Sequence, residues 1–336
     1  MMSNFKKTAD TYVPGSMTLP ARYYTSKYIF EGEKEKIFKK FWMCLGHVSR
    51  IPKTGDYFVQ EVLGQSLIVI RDSMEMIRVF YNSCRHRGTR ICNEPNGHVT
   101  GRSIQCSYHA WTYSLDGKLI GAPFMQDIPG FPWEDNGLLS PEYYIWEGFV
   151  FVNLTENPEP FEVLYQPMFG KLSPWKVGGL KWYCLEPYKV EANWKYIFQN
   201  FNECYHCPTI HPMLNKYTNY TSAENDLSEG PFLGGFMRIK GGDSMTMDGK
   251  LCGLPLGGEL NSHTKKVGYY YTMLGNLLLN IHPDYLMFHL VFPESVEETR
   301  VESSWLFNPR YAETGRFDPM NAVKFWQITN KQDWKV

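Results

Sequence analysis

Two stretches of the chain set histidine, cysteine and carboxylate side chains at spacings that can hold metal. In NWKYIFQNFNECYHCPTIHP, residues 193–212, Glu203 and His206 lie one helical turn apart and can share a face. His206 and His211 are five apart, which on an unbroken helix separates them by about 140°. Pro208 lacks an N–H and disfavours helical geometry at Cys207, so a bend after His206 is expected to bring His211 back towards it. Two imidazoles at a broken helix end, with a carboxylate one turn away, read as a metal site, and equally as ordinary buried or capping histidines. The second stretch is NSCRHRGTRICNEPNGHVTGRSIQCSYHAWTYSLDG. It gives Cys84-x-His86, then 19 residues, then Cys106-x2-His109. Each half offers one thiolate and one imidazole. A two-Cys, two-His set suits zinc, but structural zinc usually pairs its cysteines two to four residues apart within one knuckle. Here each Cys is paired with a His.

The elements around these residues must place them. Trp194, Ile197, Phe198 and Phe201 recur at i, i+3, i+4 and i+7, the stripe of a helix with one buried face leading into the first site. The Cys/His halves lie between short runs rich in Val, Ile, Tyr and Phe, GDYFVQEV, SLIVIRD and MIRVFYN before them, which read as strands joined by loops. Gly88 and Gly117 read as turn glycines, Trp111 and Tyr113 as strand residues packed nearby, and His98 as an exposed bystander. VGYYYTML, NLLLNIH, DYLMFHLVF and TRVESSWLF suggest a four-strand antiparallel meander, with His282 and His289 as sheet or strand-end residues rather than ligands. EGEKEKIFKKFWMC reads as an amphipathic helix packed through Ile37, Phe38, Phe41 and Trp42. Residues 156–180 read as a linker and surface excursion, and 213–265, rich in Gly, Asn, Ser and Met, as irregular.

A third ligand emerges near the end. Asp318-Pro319 makes an N-cap and N1 pair, and Ala322, Phe325, Trp326 and Thr329 then trace a buried stripe. Asp333 lies about three turns beyond Ala322 and continues the stripe. A core-facing carboxylate needs a charge partner, and a metal already held by two histidines would be one. Asn330, a turn earlier, is the local competitor. Two histidines and one carboxylate leave positions open for dioxygen and substrate, the facial triad of non-haem iron oxygenases.

At Cys84, His86, Cys106 and His109 the segment resembles a Rieske domain, in which two cysteines hold one iron of a [2Fe–2S] cluster and two histidines the other. The turn-rich NEPNG absorbs a spacer slightly long for the family. The second half, Cys-Ser-Tyr-His, lacks the extra cysteine of high-potential members, so Cys92 is expected as a free thiol and the lower-potential oxygenase type fits. From about residue 40 to the end the chain resembles the α subunit of Rieske non-haem iron oxygenases, the aromatic-ring-hydroxylating family. That family includes choline, glycine betaine and carnitine monooxygenase-like members.

The resemblance implies an α+β fold: a β-rich Rieske [2Fe–2S] domain inserted in a helix-grip (START/Bet v1-like) catalytic domain with an antiparallel sheet. The expected division is 1–44 for the N-terminal arm and helix of the catalytic domain, 45–155 for the Rieske domain, and 156–336 for the catalytic mononuclear iron domain. Carried over by position, Cys84, His86, Cys106 and His109 hold the cluster, and His206, His211 and Asp333 hold one Fe(II). Glu203 matches the acidic residue that bridges a Rieske histidine to a catalytic-iron histidine across subunits of a ring-shaped homotrimer. NAD(P)H enters only through a partner reductase, with or without a ferredoxin. The implied reaction is O2-dependent hydroxylation of an aromatic ring, as in aromatic hydrocarbon catabolism, or of a methylated or quaternary amine. NWK, ECYHCP and FWxxTNxQDW resemble members acting on the amines. Members usually run on beyond this point, which implies a chain cut short of its natural end. Two rivals remain at this stage: a Rieske electron carrier without oxygen chemistry, which needs no triad, and a structural zinc protein.

Composition agrees. Hydrophobic residues make up 43% and aromatics 16%, enough for a large core and aromatic-lined cavities. A net charge of −1 without long like-charge runs argues against nucleic-acid binding. No segment of signal or membrane-spanning length is visible, so a cytoplasmic protein is expected. No glycine group has nucleotide-binding spacing. Eight cysteines are then expected as thiols or metal ligands, not a disulfide framework.

Overall fold

The computed structural model describes residues 13–227, 230–257, 260–315 and 317–336; the first twelve residues of the expected arm lie outside them. The chain divides into two compact units, Leu45–Pro158 and Met1–Cys44 with Glu159–Val336. The smaller unit is thus an insertion in the larger.

After β1 (Met43–His47), the strands β2 (Asp56–Val62), β3 (Gln65–Arg71), β4 (Ile77–Tyr81) and β5 (Asn96–His98) of the smaller unit form a sheet of order β4-β3-β2-β5. Leu63 and Gly64, both at positive φ, make the tight turn between β2 and β3, the twist-matched geometry that a two-residue hairpin loop requires. A second sheet holds β6 (Ser103–Gln105), β7 (Thr112–Ser114) and β8 (Leu119–Gly121). Ile68, Ile70, Phe80, Ile104 and Tyr113 are buried in one core with Cys84 and Cys106. That core places the β4–β5 and β6–β7 loops, which carry the two Cys/His halves.

The larger unit is built on seven antiparallel strands. These are β9 (Lys181–Val190), β10 (Glu224–Leu227), β11 (Phe232–Arg238), β12 (Val267–Met273), β13 (Leu277–Ile281), β14 (Tyr285–Pro293) and β15 (Thr299–Phe307), in the order β9-β15-β14-β13-β12-β11-β10. Tyr285 and Met287 on β14, with Trp305 and Phe307 on β15, share one face because strand side chains alternate. They pack with Ala322, Val323, Phe325 and Trp326 of a long helix, Pro319–Asp333. All four sheet residues are 0% exposed, and burial of each such side chain contributes about 1.5–3 kcal/mol. The sheet therefore holds the helix, and with it Asp333, in a fixed register. Preceding it are α1 (Lys27–Glu33), α2 (Trp194–Phe201), α3 (Cys207–Ile210) and α4 (Pro212–Tyr217); the long helix is α5.

Four local expectations need correction. The N-terminal amphipathic helix is α1 followed by one wider turn at Lys34–Phe38, burying Phe38 and Trp42. Residues 156–180 are short helical turns, not a surface excursion. Phe161, Tyr165, Met168 and Trp175 are buried there, and Tyr165 Oη donates to the Leu274 carbonyl at 2.6 Å. Residues 213–265 contain α4, β10 and β11; glycine fits within β11 because a β-carbon on Gly234 or Gly235 would collide with the Tyr270 or Glu224 carbonyl of the neighbouring strand. Asp318 does precede α5, but its side chain makes no capping bond.

Candidate metal centres

The two Cys/His loops of the smaller unit fold alike. Gly88 N–H donates to the Cys84 carbonyl at 2.8 Å, and Ala110 N–H to the Cys106 carbonyl at 3.1 Å. Both fourth-following residues have positive φ, +72° at Gly88 and +57° at Ala110. For alanine that is a costly conformation, of the kind retained where a site needs it. Asn82 fastens the first loop: its Oδ1 accepts from the Ile91 and Cys92 N–H groups, and its Nδ2 donates to the Cys92 carbonyl at 2.7 Å.

Cys84 and Cys106 are each 3% exposed, whereas His86 and His109 face solvent. The two imidazole rings lie 4.7 Å apart, and Trp111 stacks on His86 at 5.0 Å. Tyr113 Oη is 3.2 Å from Cys84 Sγ and accepts from Arg85 N–H at 3.0 Å. Desolvation, followed by electrostatic repulsion from neighbouring His109 and Arg87, holds His86 below the usual imidazole range, favouring the neutral, ligating form. A 340 Å³ cavity opens beside His86 and His109, lined also by Trp111, Phe124 and Met125. Buried thiols on one side and exposed imidazoles on the other fit a two-iron cluster with one sulfur-bound and one nitrogen-bound iron. Cys92 is free and buried, its thiol pushed up to about 11 by burial, while His98 pairs with Asp56 on the surface.

In the larger unit the sequence placed the helix break too late. The helix ends at Phe201, and Asn202 closes it by donating from Nδ2 to the Phe198 carbonyl at 2.7 Å. Thr272 Oγ1 on β12 donates to Asn202 Oδ1 at 2.9 Å, tying this corner to the sheet. Pro208 breaks nothing. It sits in the first turn of α3, as Pro212 does in α4, where a missing N–H is tolerated. His206 and His211 each stand immediately before one of these short helices.

The resulting geometry is compact. His206, His211 and Asp333 each offer an atom within 4.8 Å of the others, and among the described residues they are the one such group of three or more His, Cys, Asp or Glu. His211 Nε2 is 2.8 Å and His206 Nε2 3.5 Å from Asp333 Oδ1. On the outer side Glu203 Oε1 lies 2.5 Å from His206 Nδ1, and Gln332 Oε1 2.9 Å from His211 Nδ1. Each oxygen accepts a hydrogen bond from Nδ1–H, which turns Nε2 inward. Burial alone would raise the Asp333 carboxyl, but hydrogen bonds from His206 and His211 outweigh it and hold it down at about 2. The Asp333 hydrogen bond likewise raises His206. This donor set fits one hard, six-coordinate metal with vacant positions. The four Cys/His atoms of the smaller unit are not drawn together as a single zinc would require.

Asn330 does not join the triad; it is buried, with its amide 3.5 Å from Ser303 Oγ. His289 is a sheet residue on Ser303 Oγ at 2.7 Å, and His282 is fully buried. Tyr113 is the strand residue expected beside the site, whereas Gln332 and Asn82 escaped the sequence reading because each acts through a contact set by the fold; only the adjacency of Gln332 to Asp333 hinted at a role. Not every cysteine is a thiol or ligand: Cys204 and Cys207 form a disulfide with Cα atoms 5.0 Å apart. They are three positions apart, with two residues between them, a local pairing that says nothing of a disulfide framework.

Residues 41–132 match the Rieske [2Fe-2S] domain, and residues 180–336 match the family described as Ring hydroxylating alpha subunit (catalytic domain). The glycine betaine monooxygenase oxygenase subunit of Chromohalobacter salexigens is 30% identical over 350 residues, covering 95% of this chain and 77% of that protein. The carnitine monooxygenase oxygenase subunit of Escherichia coli is 35% identical over 199 residues, 58% of this chain and 52% of its own length. The structure of a quaternary ammonium Rieske monooxygenase superposes with a TM-score of 0.80 at 25% identity, covering 95% of this chain and 83% of that one. Among the described residues no helix is long and apolar enough to cross a membrane. The chain belongs to the Rieske non-haem iron oxygenases, as an oxygenase subunit that combines a [2Fe–2S] domain with a mononuclear iron catalytic domain and draws its electrons from a separate partner.

Proposed function

We propose that this oxygenase removes a methyl group from a methylated or quaternary amine. Cys84 and Cys106 would hold one iron of the cluster, His86 and His109 the other, and His206, His211 and Asp333 the mononuclear iron. When bound, the cluster supplies electrons singly and the mononuclear iron activates dioxygen. The chain's own residues set the conditions. Glu203 and Gln332 accept from each Nδ1–H, which leaves each Nε2 facing Asp333 as the atom that would bind the metal, and Asp333 stays ionised across neutral pH.

The convergence of His206, His211 and Asp333, with aromatic rings gathered about Trp334 next in sequence to Asp333, carries this proposal. Phe201 lies 6.4 Å from Tyr270 and 6.2 Å from His289, and His289 lies 6.5 Å from Trp334, the residue after Asp333. Aromatic faces attract a methylated ammonium. Among the described residues Lys195 is the one buried Lys or Arg, and Glu33 neutralises it, so no buried cation repels such a substrate. The betaine and carnitine enzymes similar to this chain act on compounds of that class. Overall, the methyl C–H becomes C–OH as O2, two electrons and two protons give the hydroxymethyl amine and water. The adduct then collapses to formaldehyde and the demethylated amine.

A homotrimer follows from the same proposal. Glu203 is 47% exposed beside His206, and His86 and His109 are exposed on their own unit, as a bridge between neighbouring copies needs. A cytoplasmic setting supplies the NAD(P)H-fed reductase. The test is substrate-dependent oxygen uptake by the iron-loaded oxygenase with a reductase, across glycine betaine, carnitine and naphthalene, with formaldehyde assayed. Formaldehyde matching oxygen consumed with an amine supports the proposal; a dihydroxylated ring and no formaldehyde contradicts it.

A further inference from the structure

His206 is the less secured of the two inward-facing histidines. His211 is 2% exposed at its side chain and wedged between Gln332 and Asp333. The His206 side chain is 18% exposed and leans on Glu203, itself 47% exposed, beside Tyr205 at 91%. The backbone holds its C-terminal side: Thr209 and Ile210 N–H donate to the His206 carbonyl at 3.0 Å in the single turn of α3, and Cys207 N–H reaches the Cys204 carbonyl at 3.2 Å. The Cys204–Cys207 bond adds a covalent tie, whose ring encloses only Tyr205 and His206. None of the other six cysteines is in a disulfide. Cys207 lies in one core with Ala322, Val323, Phe325 and Trp326 of α5, and Cys204 packs against that core, so the ring is anchored there.

We propose that Cys204 and Cys207 form a reversible dithiol–disulfide site that sets how firmly His206, and hence the mononuclear iron, is held. The proposal rests on His206 being an iron ligand. In a reducing compartment a disulfide is usually transient and redox-sensing, and this one brackets a ligand. Closure by a peroxide balances as follows. One thiolate attacks the peroxide, giving a sulfenic acid and hydroxide, and the second thiol then displaces the sulfenic oxygen, forming S–S. Two thiols lose two electrons and two protons, and hydrogen peroxide becomes two waters. A dithiol reverses the bond, accepting the disulfide and becoming oxidised itself. Opening the ring restores backbone freedom to Tyr205 and His206, and the site must then pay that ordering cost to keep its metal.

The test uses the intact iron-loaded protein, anaerobic with its mononuclear iron ferrous, before and after dithiothreitol. Peroxide-treated protein should give six titratable thiols in denaturant and the dithiol-treated protein eight, with the peptide spanning Cys204 and Cys207 lighter by two hydrogens in the first. Loss of the mononuclear iron to a ferrous chelator should be on the order of tenfold faster in the dithiol form, a loop of this size being worth about that factor, while the [2Fe–2S] absorption is unchanged. The Cys204→Ser/Cys207→Ser double variant should lose iron at the fast rate with or without dithiol. Eight thiols after peroxide treatment overturn the proposal, as do equal release rates from protein that starts with a filled triad. Protein that never holds a mononuclear iron in either state refutes the ligand assignment itself, and the proposal with it.

Discussion

Lys195 and Glu33 form a buried ion pair that ties α1 to α2, the helix leading into the site. Lys195 Nζ lies 2.7 and 2.8 Å from the two Glu33 oxygens, with side-chain exposures of 10% and 11%. Trp194 Nε1 also donates to Glu33 Oε2 at 2.9 Å. Removing one partner of such a pair strands a charge and costs about 3–5 kcal/mol, whereas replacing both with apolar groups is often neutral. The Lys195 ammonium also lies 5.6 Å from the Tyr24 ring and 5.1 Å from that of Trp194. Each such contact offsets about 0.5–1 kcal/mol, so Glu33→Gln should fall near 3 kcal/mol. Lys195→Met leaves a carboxylate with one indole donor and should cost at least as much. At about 2–4 °C per kcal/mol for a domain of this size, each single variant should melt roughly 6–20 °C early. The assay is urea and thermal unfolding of wild type, both single variants and the Glu33→Leu/Lys195→Met double variant, followed by tryptophan fluorescence. The double variant should recover most of the loss, giving a coupling energy of about 5 kcal/mol. Single costs below about 1 kcal/mol that simply add would refute the reasoning, since that is how a solvated surface pair behaves.

Other outcomes follow from the same geometry. Tyr113→Phe removes a hydroxyl 3.2 Å from Cys84 Sγ; a hydrogen bond of about 1–1.5 kcal/mol corresponds to about 40–60 mV for one electron, so redox titration should find a cluster potential lower by that amount. Gln332→Ala frees His211 Nδ1 and should weaken iron retention by about 10–100-fold against a chelator. Burial pushes His282 down to about 3, whereas an unfolded histidine titrates near 6.5. Between those values the unfolded chain binds a proton that the folded chain refuses, so stability is full above pH 6.5 and falls as pH drops, by up to about 1.4 kcal/mol per pH unit. A His282→Leu variant should therefore show a shallower decline between pH 6 and 4 than wild type in urea unfolding; parallel slopes would rule this out.

What could be read from the sequence was what chemistry fixes locally. Cys84-x-His86 and Cys106-x2-His109 stand out because a cluster of the kind proposed would need two thiolates and two imidazoles on short loops. The stripe from Ala322 to Thr329 carried the register to Asp333, since one helix face must meet the core. Errors arose where distant residues decide. The helix before His206 ends at Phe201 because Asn202 is tied to Thr272, seventy residues away in sequence, so Pro208 looked like a breaker when it only begins the next helix. Gly234 and Gly235 read as loop residues, yet they lie in a strand whose neighbours leave no room for a β-carbon. Gln332 orients His211 from across the site, and no local pattern marks such a residue.

The central claim is that one chain carries two separate iron centres, and metal analysis joined to spectroscopy tests it most directly. Wild type reconstituted anaerobically should hold roughly three irons per chain, two with a Rieske-type spectrum and one at the triad. Asp333→Ala should hold roughly two, with that spectrum intact. Two irons in both proteins, or a cluster spectrum that disappears with Asp333, would contradict the account.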